Sequence, residues 1–376
     1  MSEILNLEDN INIVKELKLK SGGHSPAPKE IEGALGFNPI KHDHCFLSNP
    51  YATNIVIDEL EKSIDREFLF EILEAYPAGQ DYVAPRLAKA ENLNEENMIV
   101  TNGAIQSIDW VLEKWSFSKL CIPLPTFSSY YEFLDKDRYE IVSSKDVWTV
   151  DSLLDAARNS NSDALLLINP NNPDGKSFYP EELKYLIENL NGLKLIIDES
   201  FYHFLDFYDD YIKFRSTIDN KDVVFIKSFS KDYGIAGLRL GYLYSTDKEL
   251  LESIKTHTTW NLNNLSVWFS NIISTERFMS LYSKARLQYL SDRTFFYNEL
   301  LKIKDIVVYP SQGNFFLIKL PNYLGDNFVY KLLIKYGLYI RTMEDKLGLG
   351  PEWVRVASRT KEENINFVNI LQKELS

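Results

Sequence analysis

The sequence predicts an α/β fold with two parts: a large domain, in which a mostly parallel sheet lies between helices, and a smaller α+β C-terminal domain. Between about residues 98 and 244, short uninterrupted apolar segments alternate with helical patterns, which is typical of parallel strands covered on both faces. After about residue 247 a long helical tract precedes several further strands, which indicates a second, mixed sheet.

The predicted elements follow the order of the chain. The large domain is predicted to contain strands at 98–100, 119–123, 140–142, 164–168, 193–197, 223–226 and 240–244, with helices at 55–75, 151–158 and 180–190 among them. A helical tract over 247–303 is followed by strands at 306–309, 315–319, 338–341 and 353–357. Helices are also predicted at 3–19 and 361–375, the second beginning with a capping box between Thr360 and Glu363.

The length and composition fit this two-part organisation. The chain has 376 residues, of which 45% are hydrophobic and 25% charged, so it is long enough for about two globular domains. We expect residues 1–50 to form an N-terminal arm and part of the small domain. Residues 51–250 are assigned to the large domain and residues 251–376 to the small C-terminal domain.

Charge and cysteine usage exclude several classes of protein. The net charge is −13, which argues against a nucleic-acid partner because such proteins need a basic face. Cys45 and Cys121 are the only cysteines and lie far apart, so no disulfide framework is expected. The N-terminus lacks the apolar core of a signal peptide, and no apolar run has the length of a membrane span. We therefore expect a cytoplasmic protein without a membrane partner.

A histidine-rich segment at residues 41–45, KHDHC, raises the question of a metal site. Its candidate ligands are too crowded for a familiar zinc spacing, and no second cluster completes them. The segment is therefore interpreted as a structural loop, and no metal is expected.

The segment SFSK at 228–231 carries the main chemical signal. Lys231 follows two hydroxyl residues, Ser228 and Ser230, at the end of an apolar strand, and Arg239 lies eight positions further on. An amine, two hydroxyls and a guanidinium could together hold a phosphorylated aldehyde such as pyridoxal phosphate (PLP), whose resting form is a lysine Schiff base. A surface loop with ordinary charges is the alternative. Lys227 is a rival amine, but it falls on the strand side of the motif.

Three further polar motifs follow predicted strands. Asn102-Gly103-Ala104 joins a strand to a helix through a glycine turn, which leaves backbone N–H groups suited to a phosphate. The segment NPNNPDG follows the strand at 164–168, and Asp198-Glu199 follows the strand at 193–197. Open α/β sheets bind ligands at the carboxyl ends of their strands, so we expect these motifs to share one site.

In order and spacing, the four motifs resemble those of fold type I PLP enzymes, specifically the class I/II aminotransferases. Within that group the chain is most similar to histidinol-phosphate aminotransferases and threonine-phosphate decarboxylases. The closer similarity is carried by IKSFSKDYGIAGLRLGYL at 226–243, by Tyr76-Pro77, and by IRTMEDKLGLGPEWVRVASRT at 340–360. The resemblance implies the PLP-transferase fold type I, PLP as cofactor and a homodimer.

The resemblance also implies roles for individual residues in cofactor binding. Lys231 would form the Schiff base and move the Cα proton, while Asp198 would keep the pyridine nitrogen protonated. Asn172 would donate to the 3′-oxygen of the cofactor. Phe127 would stack on the ring, with a core aromatic as the alternative. The phosphate would be bound by the amides of Gly103 and Ala104, by Ser228, Ser230 and Arg239, and by Tyr51 of the neighbouring subunit.

Substrate residues are implied in the same way. Arg355 matches the arginine that binds the substrate α-carboxylate. Arg341 and His24 are candidates for an anionic or phosphorylated distal end of the substrate, although both also fit ordinary strand-end and loop positions.

Some residues depart from the pattern of the resembled aminotransferases. Phe201 stands where many relatives have a tyrosine that touches the 3′-oxygen, and a phenylalanine there is seen in decarboxylase-like relatives. Ile105-Gln106 replaces residues that are often acidic, and SNPYATN at 48–54 departs from the usual asparagine-rich loop. These departures imply that substrate recognition differs from that of both named groups of relatives.

The leading functional hypothesis is a PLP-dependent aminotransferase acting on an amino acid or an amino-acid-like small molecule, including a phosphorylated one. The alternative is a PLP-dependent enzyme that decarboxylates, eliminates from or cyclises a related amino acid, since the same electron sink serves all of these reactions. A non-catalytic regulator with this fold is disfavoured, because the chain has no room for a DNA-binding domain and carries the wrong charge.

Overall fold

The structure is a computed structural model that describes residues 6–321 and 324–375. Its α-helices, α1–α15 in chain order, are Leu7–Lys20, Pro28–Leu35, Pro50–Ser63, Arg66–Glu74, Gln80–Glu91, Ala104–Lys114, Ser129–Glu132, Val150–Asn159, Pro180–Glu188, Tyr208–Arg215, Lys248–Lys255, Asn264–Ile273, Glu276–Leu300, Gly325–Tyr336 and Lys361–Leu375. Its β-strands, β1–β13, are His42–Asp43, Met98–Thr101, Leu120–Pro123, Tyr139–Val142, Ala164–Ile168, Lys194–Asp198, Val223–Ser228, Gly241–Ser245, Val307–Val308, Phe315–Lys319, Leu338–Tyr339, Arg341–Thr342 and Trp353–Ala357.

The chain divides into two compact units. The large unit comprises Ser48–Asn172 and Lys176–Gln288, and the small unit comprises Met1–Leu47, Pro173–Gly175 and Tyr289–Ser376. The sequence places the start of the C-terminal domain at residue 251, whereas here the chain remains in the large unit through helices α11 and α12. Apolar side chains on these two helices are buried in the cores of the large unit, which accounts for the difference.

The large unit is built on a seven-stranded sheet with the order β2-β8-β7-β6-β5-β3-β4. The pairs from β7 through β6, β5 and β3 to β4 are parallel, and β8 runs antiparallel to both of its neighbours. This is the mostly parallel α/β sheet that the sequence predicts. The carboxyl ends of β5, β6 and β7 therefore lie at the same edge.

Helices cover both faces of this sheet. Along β5, Leu165 and Leu167 belong to one apolar cluster, whereas Leu166 and Ile168 belong to another. Successive side chains of a strand point to opposite faces, so a strand that is apolar throughout must be buried on both sides. The uninterrupted apolar pattern of the sequence has this origin.

The small unit has its own apolar core and two sheets. Its antiparallel sheet has the order β12-β13-β10-β9, and β1 pairs with β11 in parallel. The prediction of one strand over 338–341 is wrong, because Leu338–Tyr339 pairs with β1 whereas Arg341–Thr342 pairs with β13. The predicted capping box at α15 is confirmed, with the Thr360 N–H and hydroxyl both donating to Glu363 Oε2.

The helix predicted over 55–75 is two helices, α3 and α4. The helical pattern is interrupted at Asp65. The Oδ1 atom of Asp65 accepts from the Phe68 N–H at 2.8 Å and caps the second helix. Helix α4 buries none of its residues within this chain. The helix predicted over 3–19 is described from Leu7 onward, and its first residues lie outside the described part of the chain.

Candidate active site

Lys231 lies in a turn that begins directly after β7 and is half-buried. Its carbonyl oxygen accepts from the Asn49 N–H at 2.9 Å, which ties the turn to the start of helix α3. Gly234 completes the turn with φ +66°, and a Cβ atom there would lie only 2.1 Å from the Thr53 hydroxyl oxygen. Glycine is therefore required here both by the backbone angle and by the close approach of α3.

Lys227, the rival amine, is fully buried inside β7. Its Nζ donates to Asp232 Oδ2 at 2.6 Å, so this amine is held in a buried ion pair. Because that pair occupies the amine, the placement favours Lys231 as the residue that bonds a cofactor.

The glycine turn before α6 and Arg239 come together as the phosphate prediction requires. Gly103 has φ +77°, and a Cβ atom there would lie 2.5 Å from Arg239 Nη2. The Arg239 backbone is left-handed, and its Nη1 donates to the Ala236 carbonyl oxygen at 3.2 Å. The N–H groups at the start of α6 and a guanidinium thus lie side by side, which is a favourable arrangement for an anion.

Three further features around this glycine turn fit a phosphate. Ser230 Oγ is buried and has no hydrogen-bond partner among the described residues, so it leaves a donor to be satisfied. A Cβ atom on Gly241 would lie 2.7 Å from the Ala104 nitrogen, so only glycine leaves that amide accessible. Ser228 Oγ accepts from the Ser230 N–H at 3.2 Å, which holds the two hydroxyls beside each other. These residues fit the phosphate of PLP.

Asp198 is buried at the end of β6. Its Oδ2 accepts from the Tyr130 hydroxyl at 3.0 Å and its Oδ1 from the Ser200 N–H at 3.0 Å. Burial raises the pKa of Asp198, and the two hydrogen bonds together with the charge of Lys231 only partly offset the effect. A buried carboxylate of this kind is stabilised by a cationic partner, and the protonated pyridine nitrogen of PLP is such a partner.

The segments after β3 and β5 are joined by the amide of Asn171, whose Nδ2 donates to the Pro125 carbonyl oxygen at 2.9 Å. Asn172 is buried next to it. Phe127 is half-buried and packs against one of the apolar clusters of the large unit, which agrees with the core-aromatic alternative as well as with a ring-stacking role. The roles of Asn172 and Phe127 toward PLP stay predictions.

Phe201 and Tyr202 point into the interior of the large unit. Phe201 is buried, and the Tyr202 hydroxyl donates to Glu91 Oε2 at 2.5 Å. Tyr202, which follows Phe201, is thus hydrogen-bonded within the large unit. Tyr51 lies in the first turn of α3, where its N–H donates to Asn49 Oδ1, and its contribution to a neighbouring subunit remains a prediction.

The small unit contains the three predicted substrate residues. Arg341 and Arg355 are cross-strand partners in the β12–β13 pair, which places two positive side chains opposite each other. Both carboxylate oxygens of Asp345 accept from Arg341 Nη2, at 2.8 and 2.7 Å, and the Gly23 carbonyl oxygen accepts from the same atom at 3.1 Å. His24 follows Gly23 and is exposed.

Further cations surround this strand pair. Lys18 Nζ lies 3.0 Å from Asp345 Oδ2, and Lys346 Nζ donates to the Gly23 carbonyl oxygen at 2.6 Å. We call Lys18, Arg341, Lys346 and Arg355 the cationic cluster. Asp345 is the carboxylate that the described hydrogen bonds place within it. Burial lowers the pKa of Arg355 to about 10, and the charge of Arg341 contributes to this shift.

The residues around the histidine-rich segment have structural contacts. His44 is fully buried, with Nδ1 2.8 Å from the Ala357 carbonyl oxygen, and Cys45 Sγ contacts the Ser25 hydroxyl at 3.2 Å. Within residues 6–321 and 324–375, no group of three or more histidine, cysteine or acidic side chains is arranged to hold a metal ion. None of the helices in this part of the chain is both long and apolar enough to cross a membrane.

Reasoning from the sequence did not find several residues of the site. Tyr130 and Asn49 were missed, although Tyr130 lies only three positions after Phe127, in the short helix α7. Glu91 and Arg215 also contribute to the interior beneath the site, but neither belongs to a recognisable motif. Only the fold brings them together.

Comparison with known proteins gives concordant results. The family model "Aminotransferase class I and II" matches residues 51–371. An L-serine phosphate decarboxylase of Campylobacter jejuni is 38% identical over 93% of both chains. The structure of a decarboxylase from Sulfurospirillum multivorans is 32% identical over 99% of both chains, with a TM-score of 0.86. A histidinol-phosphate aminotransferase of Methanocaldococcus jannaschii is 27% identical over 97% of both chains.

Proposed function

Because the chain belongs to the class I and II aminotransferase family and is a PLP-dependent enzyme, we propose that it decarboxylates a phosphorylated amino acid, with L-serine phosphate as the first candidate. The products would be carbon dioxide and ethanolamine phosphate. The sequence alone favours an aminotransferase. The findings favour its alternative, decarboxylation, because the two decarboxylases are more similar to this chain than the aminotransferase is.

The cationic cluster is the structural observation that carries the choice of substrate. Arg341 and Arg355 face each other across two strands, where like charges destabilise a sheet. Arg341 Nη1 is buried and has no hydrogen-bond partner among the described residues. The two guanidinium groups concentrate positive charge on this strand pair, and an anion of high charge density would offset it. A phosphorylated amino acid carries two anionic groups, a carboxylate and a phosphate.

Each of these groups has a proposed partner in the small unit. Arg355 would bind the α-carboxylate, as its motif implies. Arg341 and Lys346 would bind the phosphate, because a planar guanidinium can donate two parallel hydrogen bonds to phosphate oxygens. His24 directly follows Gly23, whose carbonyl oxygen accepts from both cations, and would lie at the rim of the same group.

The large unit supplies the chemistry. When bound, PLP supplies an electron sink for the electron pair released when a bond to the substrate Cα breaks. Lys231 Nζ would deliver a proton to Cα once carbon dioxide has left. Asp198 would hold a proton on the pyridine nitrogen, and Tyr130 would fix the orientation of that carboxylate. Gly103, Ala104, Ser228, Ser230 and Arg239 would bind the phosphate of PLP.

A homodimer is also proposed. Helix α4 buries none of its residues in the chain, yet it carries the exposed apolar side chains of Leu69, Phe70 and Leu73. The exposed Tyr76 and Trp260 rings stack near its end at 4.5 Å between centroids. Such a patch is typical of an interface, and a second copy of the chain is the partner that the family resemblance implies. Cytoplasmic localisation stays an expectation.

The reaction is tested by incubating the purified holoenzyme with L-serine phosphate, with and without 2-oxoglutarate. We expect carbon dioxide and ethanolamine phosphate in equal amounts, independent of 2-oxoglutarate. Formation of glutamate without release of carbon dioxide would contradict decarboxylation and restore the aminotransferase hypothesis. Unphosphorylated L-serine, as a further substrate, tests whether the phosphate is needed. L-Threonine phosphate tests whether an additional methyl group is tolerated.

A further inference from the structure

The interior of the large unit contains a buried charge network that the proposed chemistry does not use directly. Its members are nearly or fully inaccessible to solvent, with relative exposures of 1% or less. They are Glu91, Glu199, Arg215, Lys227 and Asp232, with the imidazole of His203 among them.

One side of the network fixes the turn that carries Lys231. Asp232, the next residue, has both carboxylate oxygens engaged: Oδ2 accepts from Lys227 Nζ at 2.6 Å and Oδ1 from the Tyr233 N–H at 3.1 Å. Lys227 belongs to strand β7. The ion pair therefore ties the turn to the sheet, one residue after Lys231.

The other side of the network supports Asp198 in the same way. Glu199, the next residue, accepts from Arg215 Nη1 at 2.7 Å and from the hydroxyls of Tyr211 and Tyr242 at 3.0 and 2.9 Å. The residues that would contact PLP, Asp198 and Lys231, are each followed by a buried carboxylate that is fixed by a buried cation.

Glu91 joins the two sides. Its Oε2 lies 3.3 Å from Arg215 Nη1, 4.0 Å from Lys227 Nζ and 3.0 Å from the Tyr242 hydroxyl oxygen. Burial by itself raises the pKa of Glu91, but the charges of Lys227 and Arg215 and the contact with His203 lower it well below its ordinary value. Glu91 is thus ionised and shared between the two cations.

We propose that Lys227 is a positioning residue that acts through Asp232 to hold Lys231 in register with the PLP phosphate site. Buried ion pairs are weak contributors to stability compared with apolar residues of similar volume. Their benefit here is geometric, since salt bridges fix side-chain and backbone directions that apolar packing leaves less defined. The proposal rests on the assignment of Lys231 to PLP and is independent of the reaction that follows.

The test separates geometry from stability by comparing two variants. Lys227→Met removes one partner and leaves Asp232 buried and uncompensated, so it destabilises the fold. Lys227→Met combined with Asp232→Asn removes both charges and keeps an amide oxygen that can still accept from the Tyr233 N–H. We expect urea unfolding to show that the double variant recovers much of the stability lost in the single one.

The decisive measurement is the rate at which the yellow colour of the lysine-bound cofactor develops when PLP is added to the full-length apoprotein. We expect the double variant to remain roughly tenfold to a hundredfold slower than the unmodified protein, because a small displacement of a reacting group is costly. With substrate, kcat should fall while KM changes little, since the substrate residues of the small unit are untouched.

Ser245→Ala is the matched control. Ser245 is buried on β8 and its hydroxyl donates to the Val223 carbonyl oxygen at 2.9 Å, at the opposite end of the β7–β8 pair. We expect it to lose stability and to take up PLP at the unmodified rate. A double variant with unmodified uptake and kcat would overturn the proposal and leave the network a purely structural role.

Two further outcomes are distinguishable. If Lys227→Met does not fold, the double variant alone decides. If Lys231→Ala still develops the colour, the lysine assignment itself is wrong, and this result is independent of whether L-serine phosphate is decarboxylated.

Discussion

The large and small units each bury a group of charged side chains, and the two groups differ in their charge balance. In the buried charge network of the large unit, the cations Lys227 and Arg215 are surrounded by three carboxylates, and tyrosine hydroxyls donate to two of these carboxylates. In the cationic cluster of the small unit, Lys18 and Arg341 form ion pairs with Asp345, and Arg355 lies opposite Arg341 on the neighbouring strand. Each cation of the network is thus paired with a buried carboxylate and serves as a scaffold, whereas we propose that the adjacent guanidinium groups of the cluster bind an anionic substrate.

The largest expected effect distinguishes the two buried or half-buried lysines of the SFSK region. Lys231→Ala should reduce the proposed decarboxylation by about 10⁴-fold or more, because it would remove both the proposed covalent attachment and the proposed proton donor. Its free energy of unfolding should change little, since the side chain is only half-buried. Turnover and urea unfolding of the same preparation check both parts. A large loss of stability in Lys231→Ala would mean that this lysine, too, serves the scaffold.

The next comparison sets Arg215 of the buried charge network against Arg355 of the cationic cluster. Arg215→Met should lower the free energy of unfolding by about 3–5 kcal/mol, because it leaves two buried carboxylates with fewer partners. Arg355→Met should change it by less than about 1 kcal/mol, since the like-charge repulsion with Arg341 is relieved, and should instead weaken substrate binding by roughly a hundredfold. Urea unfolding and KM measure the two effects.

Lys302→Met is the control for loss of one positive charge from the small unit, because its side chain is exposed. It should leave both quantities unchanged. Equal losses of stability in Arg215→Met and Arg355→Met would remove the distinction between the two groups.

Acid pH gives a smaller effect that involves His44. Burial lowers the pKa of His44 from 6.5 to about 4, and its Nε2 has no hydrogen-bond partner among the described residues. His44 therefore becomes protonated below about pH 6.5 in the unfolded chain, but only below about pH 4 in the folded chain. Between these values the fold should lose about 3 kcal/mol from this group. His44→Asn should flatten that part of the stability profile, while the exposed His257, replaced in the same way, should not.

The smallest effect on the folded chain is expected at helix α4. Leu73→Glu should change the free energy of unfolding of the monomer by less than about 0.5 kcal/mol, because this side chain is largely exposed. The same change should weaken the proposed homodimer by placing a charge in an apolar interface. Sedimentation of the variant beside the exposed-position control Glu67→Gln measures the association. An unmodified protein that sediments only as a monomer would contradict the homodimer.

Much of the active site could be predicted from the sequence because its residues lie in short motifs at strand ends. The structure brings Arg239 to the glycine turn at Gly103 as those motifs imply, and the buried strands follow directly from uninterrupted apolar runs. Asp65, in contrast, stands within a helical pattern, and only its cap to Phe68 shows that the helix ends there. Local periodicity does not report such breaks.

The charge groups were predicted less well, for a physical reason. Glu91 and Arg215 are separated by more than a hundred positions, so no local pattern announces that they meet. The pairing of Arg341 with Arg355 could not be predicted from the sequence either. The register of β12 on β13 depends on where the strand predicted over 338–341 divides. Long-range pairing decides both, and sequence spacing does not encode it.

The order of the residues at the end of β6 and in the turn after β7 limits how the length of this chain can vary. Glu199 and Asp232 are bonded to the buried cations Arg215 and Lys227, whereas their neighbours Asp198 and Lys231 are the residues proposed to contact the cofactor. A deletion or insertion of one residue at either strand end would exchange these positions, placing the wrong carboxylate at the cofactor and a reactive group in the core. We therefore expect length changes in these two segments to abolish activity. New substrate preferences should instead arise by substitution at positions such as Arg341.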